Sequence, residues 1–213
     1  MKNYSIVFIL LLSFFNHSQI SYDFGAPVPP SGEKVMMIHT SHFGSYSNPT
    51  SPVVYEINKD GIFIVSTNIN SISRQTIRES STYQVRNNHI FGVHEEDSIP
   101  CVLEGENYYF GVKNRDQIIG ASSMNVLVQL NMNEYVINFE ENGHYVPMFL
   151  TFSPQGLFIS QFDYSSDTKG FKKIENRVSV QKDIEFITLF PTEEEWRKLK
   201  IKEFQTEAVV YKQ

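Results

Sequence analysis

From Tyr83 onward, polar turn signals recur roughly every ten residues, the spacing of short strands joined by tight connections. They fall at 87–88, 95–97, 104–107, 114–116, 131–133, 141–143, 153–156 and 165–170. Between them the side chains alternate. Tyr135, Ile137 and Phe139 share one face, and Glu134, Asn138 and Glu140 the other. Val146, Met148, Leu150 and Phe152 line a second apolar face, and Phe158, Phe162 and Tyr164 a third. Such a chain is mainly β: an antiparallel meander forming a barrel or two-layer sandwich. Asn142-Gly143 is the clearest tight-hairpin signal, and Asp60-Gly61 joins strands at 53–57 and 62–66. The 17 Phe and 11 Tyr agree with strands rather than helices.

Residues 83–112 are the centre of this pattern, with HIFGV at 89–93 echoed by YYFGV at 108–112. The echo lacks a steady period, so it reads as hairpin grammar rather than a repeat protein. Upstream, 35–39 is expected to be the first strand. Residues 68–81 fit either an irregular strand or a short helix capped by Ser73. Downstream, 183–190 reads as a strand and PTEEEW announces one C-terminal helix. Thr192 is its N-cap, Glu195 holds the capping-box position, and Lys198, Lys200 and Lys202 suit its far end. Residues 207–212 are expected to return as a closing edge strand. The expected core includes Ile64, Phe91, Phe110, Val128, Ile137, Met148, Leu150, Phe162 and Trp196.

The N-terminus has the parts of a signal peptide over 1–21. Lys2 is followed by ten apolar residues at 6–15 and a polar stretch to Ser21, with cleavage expected between Ser18 and Tyr22. The apolar run is short of the ~20 residues that span a bilayer. Residues 22–34, with three prolines and two glycines, read as an extended linker. Residues 35–213 then form a single β-rich domain. The expected location is exported, periplasmic or secreted, with a membrane role only for the signal segment.

A net charge of −6 without a basic run makes a poor nucleic-acid binder. The lone Cys101, between Pro100 and Val102, reads as a small buried hydrophobe. No nucleophile elbow, zinc-hydrolase, Walker or dinucleotide motif is present, and no cofactor is called for. Carboxylate pairs for glycoside hydrolysis leave no spacing signature, so a hydrolase with scattered residues stays open. His94, Glu95 and Asp97 offer a possible metal set with Glu96 between them, against the plainer reading of a solvated turn. Arg74 and Arg78, four apart, would share one face of a helix and could hold a carboxylate or phosphate. A solvated basic face is the competing reading. His39 and His42 lie three apart in what reads as strand and turn, which sets them on opposite sides and disfavours a shared metal.

The strings SISRQTIRES, YQVRNNHIFGVHEEDSIPCVLEG, YYFGV and PTEEEWRKL together resemble exported β-rich proteins of Bacteroidota bacteria that have no assigned activity. That resemblance implies export and a β fold, and no site residues. Phe43-Gly44-Ser45-Tyr46, leading to Tyr55-Glu56 and Asp60-Gly61, also resembles the opening of lipocalin-like domains. Three functional classes follow. The leading one is a non-catalytic binding module of the cell envelope, with an envelope protein or small ligand as partner. A lipocalin-like carrier of an apolar ligand is the alternative, since residues 145–152 are apolar on both faces; a covering helix would leave the same pattern. A hydrolase comes third.

Overall fold

The computed structural model describes residues 19–93, 98–162, 171, 174, 176–181, 184–199 and 204–213. Strand dominates, and the chain builds two sheets. With strands numbered along the chain, the first sheet runs in the order β14 (Asn176–Gln181), β15 (Ile184–Leu189), β1 (Gln19–Phe24), β12 (His144–Ser153), β11 (Glu134–Glu141), β10 (Val126–Asn131), β2 (Glu33–Val35). β13 (Gly156–Gln161) also pairs with β12, and β16 (Val209–Tyr211) with β13. The second sheet runs β3 (Gly44–Ser47), β4 (Val53–Asn58), β5 (Gly61–Ser73), β9 (Asn107–Ile119), β8 (Ile99–Glu104), β7 (His89–Phe91), β6 (Gln84–Arg86). Among the described residues there are two short α-helices, α1 (Arg74–Glu79), between β5 and β6, and α2 (Glu193–Lys198), between β15 and β16.

The hairpin chemistry works as the sequence dictates. Asn142 and Gly143 take φ of 55° and 83°, and Asn87 and Asn88 take 50° and 59°, the left-handed pairs that a two-residue turn between twisted strands requires. Gly61 meets a second demand: a Cβ there would stand 1.9 Å from the carbonyl oxygen of Ile119. At the far end of the chain, Thr192 accepts from the Glu195 amide while the Glu195 carboxylate accepts from Thr192, closing the expected capping box.

The main core lies between the sheets. Tyr46, Tyr55, Ile57, Ile62 and Ile118 from the second sheet pack with Leu127, Tyr135, Ile137, Met148, Leu150, Phe152, Leu157 and Tyr211 from the first. This is a two-layer arrangement. Among the described residues no ladder joins β9 to β10 or β2, so a closed barrel is not formed. The Ile118 carbonyl instead accepts from Ser123 Oγ and Asn125 Nδ2. Of the expected core, Phe110, Val128, Ile137, Met148, Leu150 and Phe162 are buried. Ile64, Phe91 and Trp196 are half-buried.

Three expectations are corrected. Residues 22–34 are not a free linker: Tyr22 and Phe24 are buried on β1, which lies between β12 and β15, and Val28 is buried behind it. The composition signalled a linker, but its apolar side chains find a core with Phe162, Phe171 and Leu189. The strand expected first, at 35–39, is instead β2, Glu33–Val35, which follows β1 and ends where the chain bends at Met36 and Met37. Residues 114–116 are not a turn; Asn114 and Asp116 pair with Ser66 and Ile64 midway along β9. Polar residues there sit on an exposed strand face that local composition cannot tell from a turn. Asn138 lies on the face opposite Tyr135 and Ile137, as expected, and is fully buried there with Val136 beside it. Ser73 does cap a helix, accepting from the Thr76 amide, so the open choice at 68–81 resolves into both: β5 extends to Ser73 and α1 follows.

β5 and β9 are each 13 residues long. Their far halves carry β8, β7, β6 and α1 outward as a lobe with its own core of Ile90, Ile99, Cys101 and Phe110.

Candidate functional site

Among the described residues the two sheets pair edge to edge at one place. Ser47 and Lys212 exchange backbone hydrogen bonds of 2.9 and 2.8 Å, and the ladder goes no further. Side-chain amides extend the seam: Asn48 Nδ2 donates to the Val210 carbonyl and Gln213 Nε2 to the Phe43 carbonyl. Beside this join lies a cavity of about 530 Å³. Three turns and a chain end converge on it. A 3-10 turn, Thr40–His42, gives Ser41 and His42; the β10–β11 turn gives Asn133; the β12–β13 turn gives Gln155; β16 runs out into Lys212.

The walls are fixed. His42 stacks on Phe152 with centroids 4.1 Å apart and planes 12° from parallel. Its Nε2 lies 2.9 Å from the Met132 carbonyl oxygen, which can only accept, so Nε2 carries the proton and Nδ1 is left as an acceptor. Tyr46 donates to the His42 carbonyl, and burial pushes its phenol pKa up. The Phe152 amide donates to the Asn133 carbonyl at 2.8 Å, pinning that turn. Among the described lining residues the polar set is amides, hydroxyls, one imidazole and the Lys212 cation, with no side-chain carboxylate. That set offers donors to an oxygen-rich ligand, and one of its hydroxyls, Ser41 Oγ, lies 2.7 Å from His39 Nδ1.

A second polar cluster sits where β1, β12 and β15 meet. His144 Nδ1 lies 3.3 Å from Asp23 Oδ1 and 3.2 Å from Thr188 Oγ1. The Asp23 oxygen is buried without an aligned hydrogen bond, so its contact with His144 is an ion pair by distance only. Acid and hydroxyl approach the same ring nitrogen. A hydrolytic relay needs them at opposite nitrogens, so this cluster is a strand tie rather than a catalytic triad.

Arg74 and Arg78 share α1, as expected of a helix, on the outer lobe; Arg74 is half-buried and Arg78 exposed. Neither lines the cavity. The candidate metal set His94, Glu95 and Asp97 lies outside the described residues. Among the described residues no group of three His, Cys, Asp or Glu could hold a metal. Cys101 is buried, and burial pushes its thiol up, the behaviour of a core side chain rather than a nucleophile.

His39 and His42 differ from expectation. His39 is the N-cap of the 3-10 turn and His42 its last residue, so the pair shares one side with ring centroids 6.3 Å apart. The cavity residues Asn133, Gln155 and Lys212 were missed because each sits in a stretch whose only signal was turn or edge composition. No protein-family model, curated protein or solved structure matches this chain.

Proposed function

We propose that this chain is an exported, non-catalytic binding module of the cell envelope that holds a small polar ligand in the seam cavity. The cavity itself carries the reading: a volume suited to a small molecule, walls fixed by stacking and hydrogen bonds, and Asn133, Gln155 and Lys212 free to turn donors inward. Lys2 and the apolar run at 6–15 support export. The resemblance to exported Bacteroidota proteins points the same way.

The lipocalin-like carrier remains the alternative. Its attraction is that β10 to β13, β16 and β3 to β5 wrap one core through the Ser47–Lys212 join. Its weakness is that this core is filled by Tyr46, Tyr55, Tyr135 and Phe152. The second apolar face of β12 is also accounted for, because Phe149 packs with Val128 and Val136 against Trp196.

Native mass spectrometry of the full chain, recovered gently from a bacterial periplasm, tests the proposal. The expected result is an added mass that disappears on denaturation and is lost in Lys212→Met. A clean apo mass, with no thermal shift in a panel of monosaccharides and small carboxylates, would overturn it. The denatured mass reports separately whether 1–21 has been removed.

A further inference from the structure

The Thr40–His42 turn brings together two imidazoles that a strand would have separated, with Met36 and Met37 just upstream in the chain. An ion bound at the usual nitrogen distance lies about 3.2 Å from the ring centre, so two rings on one ion have centres at most about 6.4 Å apart. His39 and His42, at 6.3 Å, fall just inside that limit. Near the limit the ion and both rings approach a straight line. A tetrahedral ion would need the centres drawn in to about 5 Å.

Each ring has one nitrogen engaged, as ligating histidines usually do. His42 Nε2 donates to the Met132 carbonyl, leaving Nδ1 free, and His39 Nδ1 lies 2.7 Å from Ser41 Oγ, leaving Nε2. The remaining donors nearby are soft. Met36 and Met37 precede His39 by three and two residues, and Met132 is the residue that holds His42. All three are exposed, Met36 at 75% and Met132 at 62%, so the core does not account for them. No carboxylate completes a triad with these histidines among the described residues. Imidazole with thioether and without carboxylate is a donor set that suits monovalent copper better than zinc or calcium.

We propose that this turn binds one monovalent copper ion through His39 Nε2 and His42 Nδ1, with a thioether from the adjacent methionines as a third donor. The ion would sit on the rim of the seam cavity, but the inference does not depend on a ligand inside it.

The test titrates the full chain with silver(I), a redox-inert stand-in, and then with copper(I) in anaerobic competition against a chromogenic chelator. The expected result is one ion per chain, with zinc weaker by about a hundredfold. His39→Ala and His42→Gln should each weaken binding about tenfold, and Met132→Leu less. His39 is exposed, so its variant stays informative if His42→Gln disturbs the Phe152 stack. Zinc binding as tight as silver would overturn the proposal. So would binding unchanged in the double histidine variant, or binding lost on Cys101→Ala alone.

Discussion

Replacing Asn138 with leucine should cost this protein about 3 kcal/mol. Asn138 is fully buried, and its side chain acts as one residue of a missing strand. Its Oδ1 accepts from the Val28 amide at 2.8 Å, and its Nδ2 donates to the Val28 carbonyl at 3.0 Å. Val28 is buried too, so water cannot replace either bond. Leucine keeps the volume and leaves one N–H and one C=O unpaired, at about 1–3 kcal/mol each. The longer bond from Nδ2 to the Val126 carbonyl, 3.4 Å, adds about 1 kcal/mol, and relief from burying the asparagine amide returns about 2 kcal/mol, giving a net near 3. For a domain of this size that is a fall in Tm of about 6–12 °C. Urea unfolding followed by the single tryptophan, Trp196, measures it, since Trp196 packs against the same face as Val128 and Val136. Hydrogen exchange at the Val28 amide should rise sharply. Asn138→Asp keeps the acceptor but loses the donor and buries a charge, so it should be worse than leucine at neutral pH. A loss under about 1 kcal/mol, with Val28 still protected, would refute the clamp.

Tyr55 is pushed up to about 12, by burial first and then by Tyr211 beside it. A raised phenol favours the folded state fully below its ordinary value near 10, and that contribution, a few kcal/mol, is lost as pH climbs from 10 to about 12. Tyr55→Phe should remove this alkaline limb from Tm measured against pH, together with the late step in phenolate absorbance. At the acid end, the Thr192 amide and hydroxyl hold Glu195 below the usual carboxylate range, and Ser31 with Arg197 does the same for Glu193. Lowered carboxyls stabilise above their unfolded values, near 4.3, and stop doing so as pH falls through the folded ones. Glu195→Gln should therefore flatten the acid limb of the same Tm profile, while Thr192→Ala costs about 1 kcal/mol at neutral pH. Trp196→Ala should uncover Val136 and Phe149, lower stability by about 3 kcal/mol in urea titration, and raise binding of a fluorescent apolar dye.

Signals that act within four residues were legible in the sequence. Asn142-Gly143, Asp60-Gly61, the Thr192–Glu195 box and the Ser73 cap all depend on local backbone preference, and all appear where the residues demand. Signals whose meaning depends on a distant partner were not. Asn138 alternates correctly with Tyr135 and Ile137, yet whether its face meets water depends on the segment carrying Val28, 110 residues away. The prolines and glycines at 25–32 do mark irregular chain, but its burial comes from Phe162, Phe171 and Leu189. Likewise, His39 and His42 share a side only because the chain bends at Met36 and turns at Thr40, where strand composition predicted alternation.

The cavity was illegible for a related reason: it is made by a pairing that stops. β16 completes a ladder with β13 from Leu157 to Ile159, but it meets β3 through one residue pair. A longer ladder there would set Tyr46 against Gln213 and Asn48 against Tyr211 and narrow the space between them. What holds the strands instead are Asn48 and Gln213, whose amides reach carbonyls that a neighbouring strand would otherwise take. Side-chain substitutes keep the edge satisfied without the close approach that backbone pairing imposes. The open seam is thus compatible with a stable fold, and no local rule is broken by it. It can be found only by asking which strand edges lack a backbone partner, and that question has no answer until both sheets are in place.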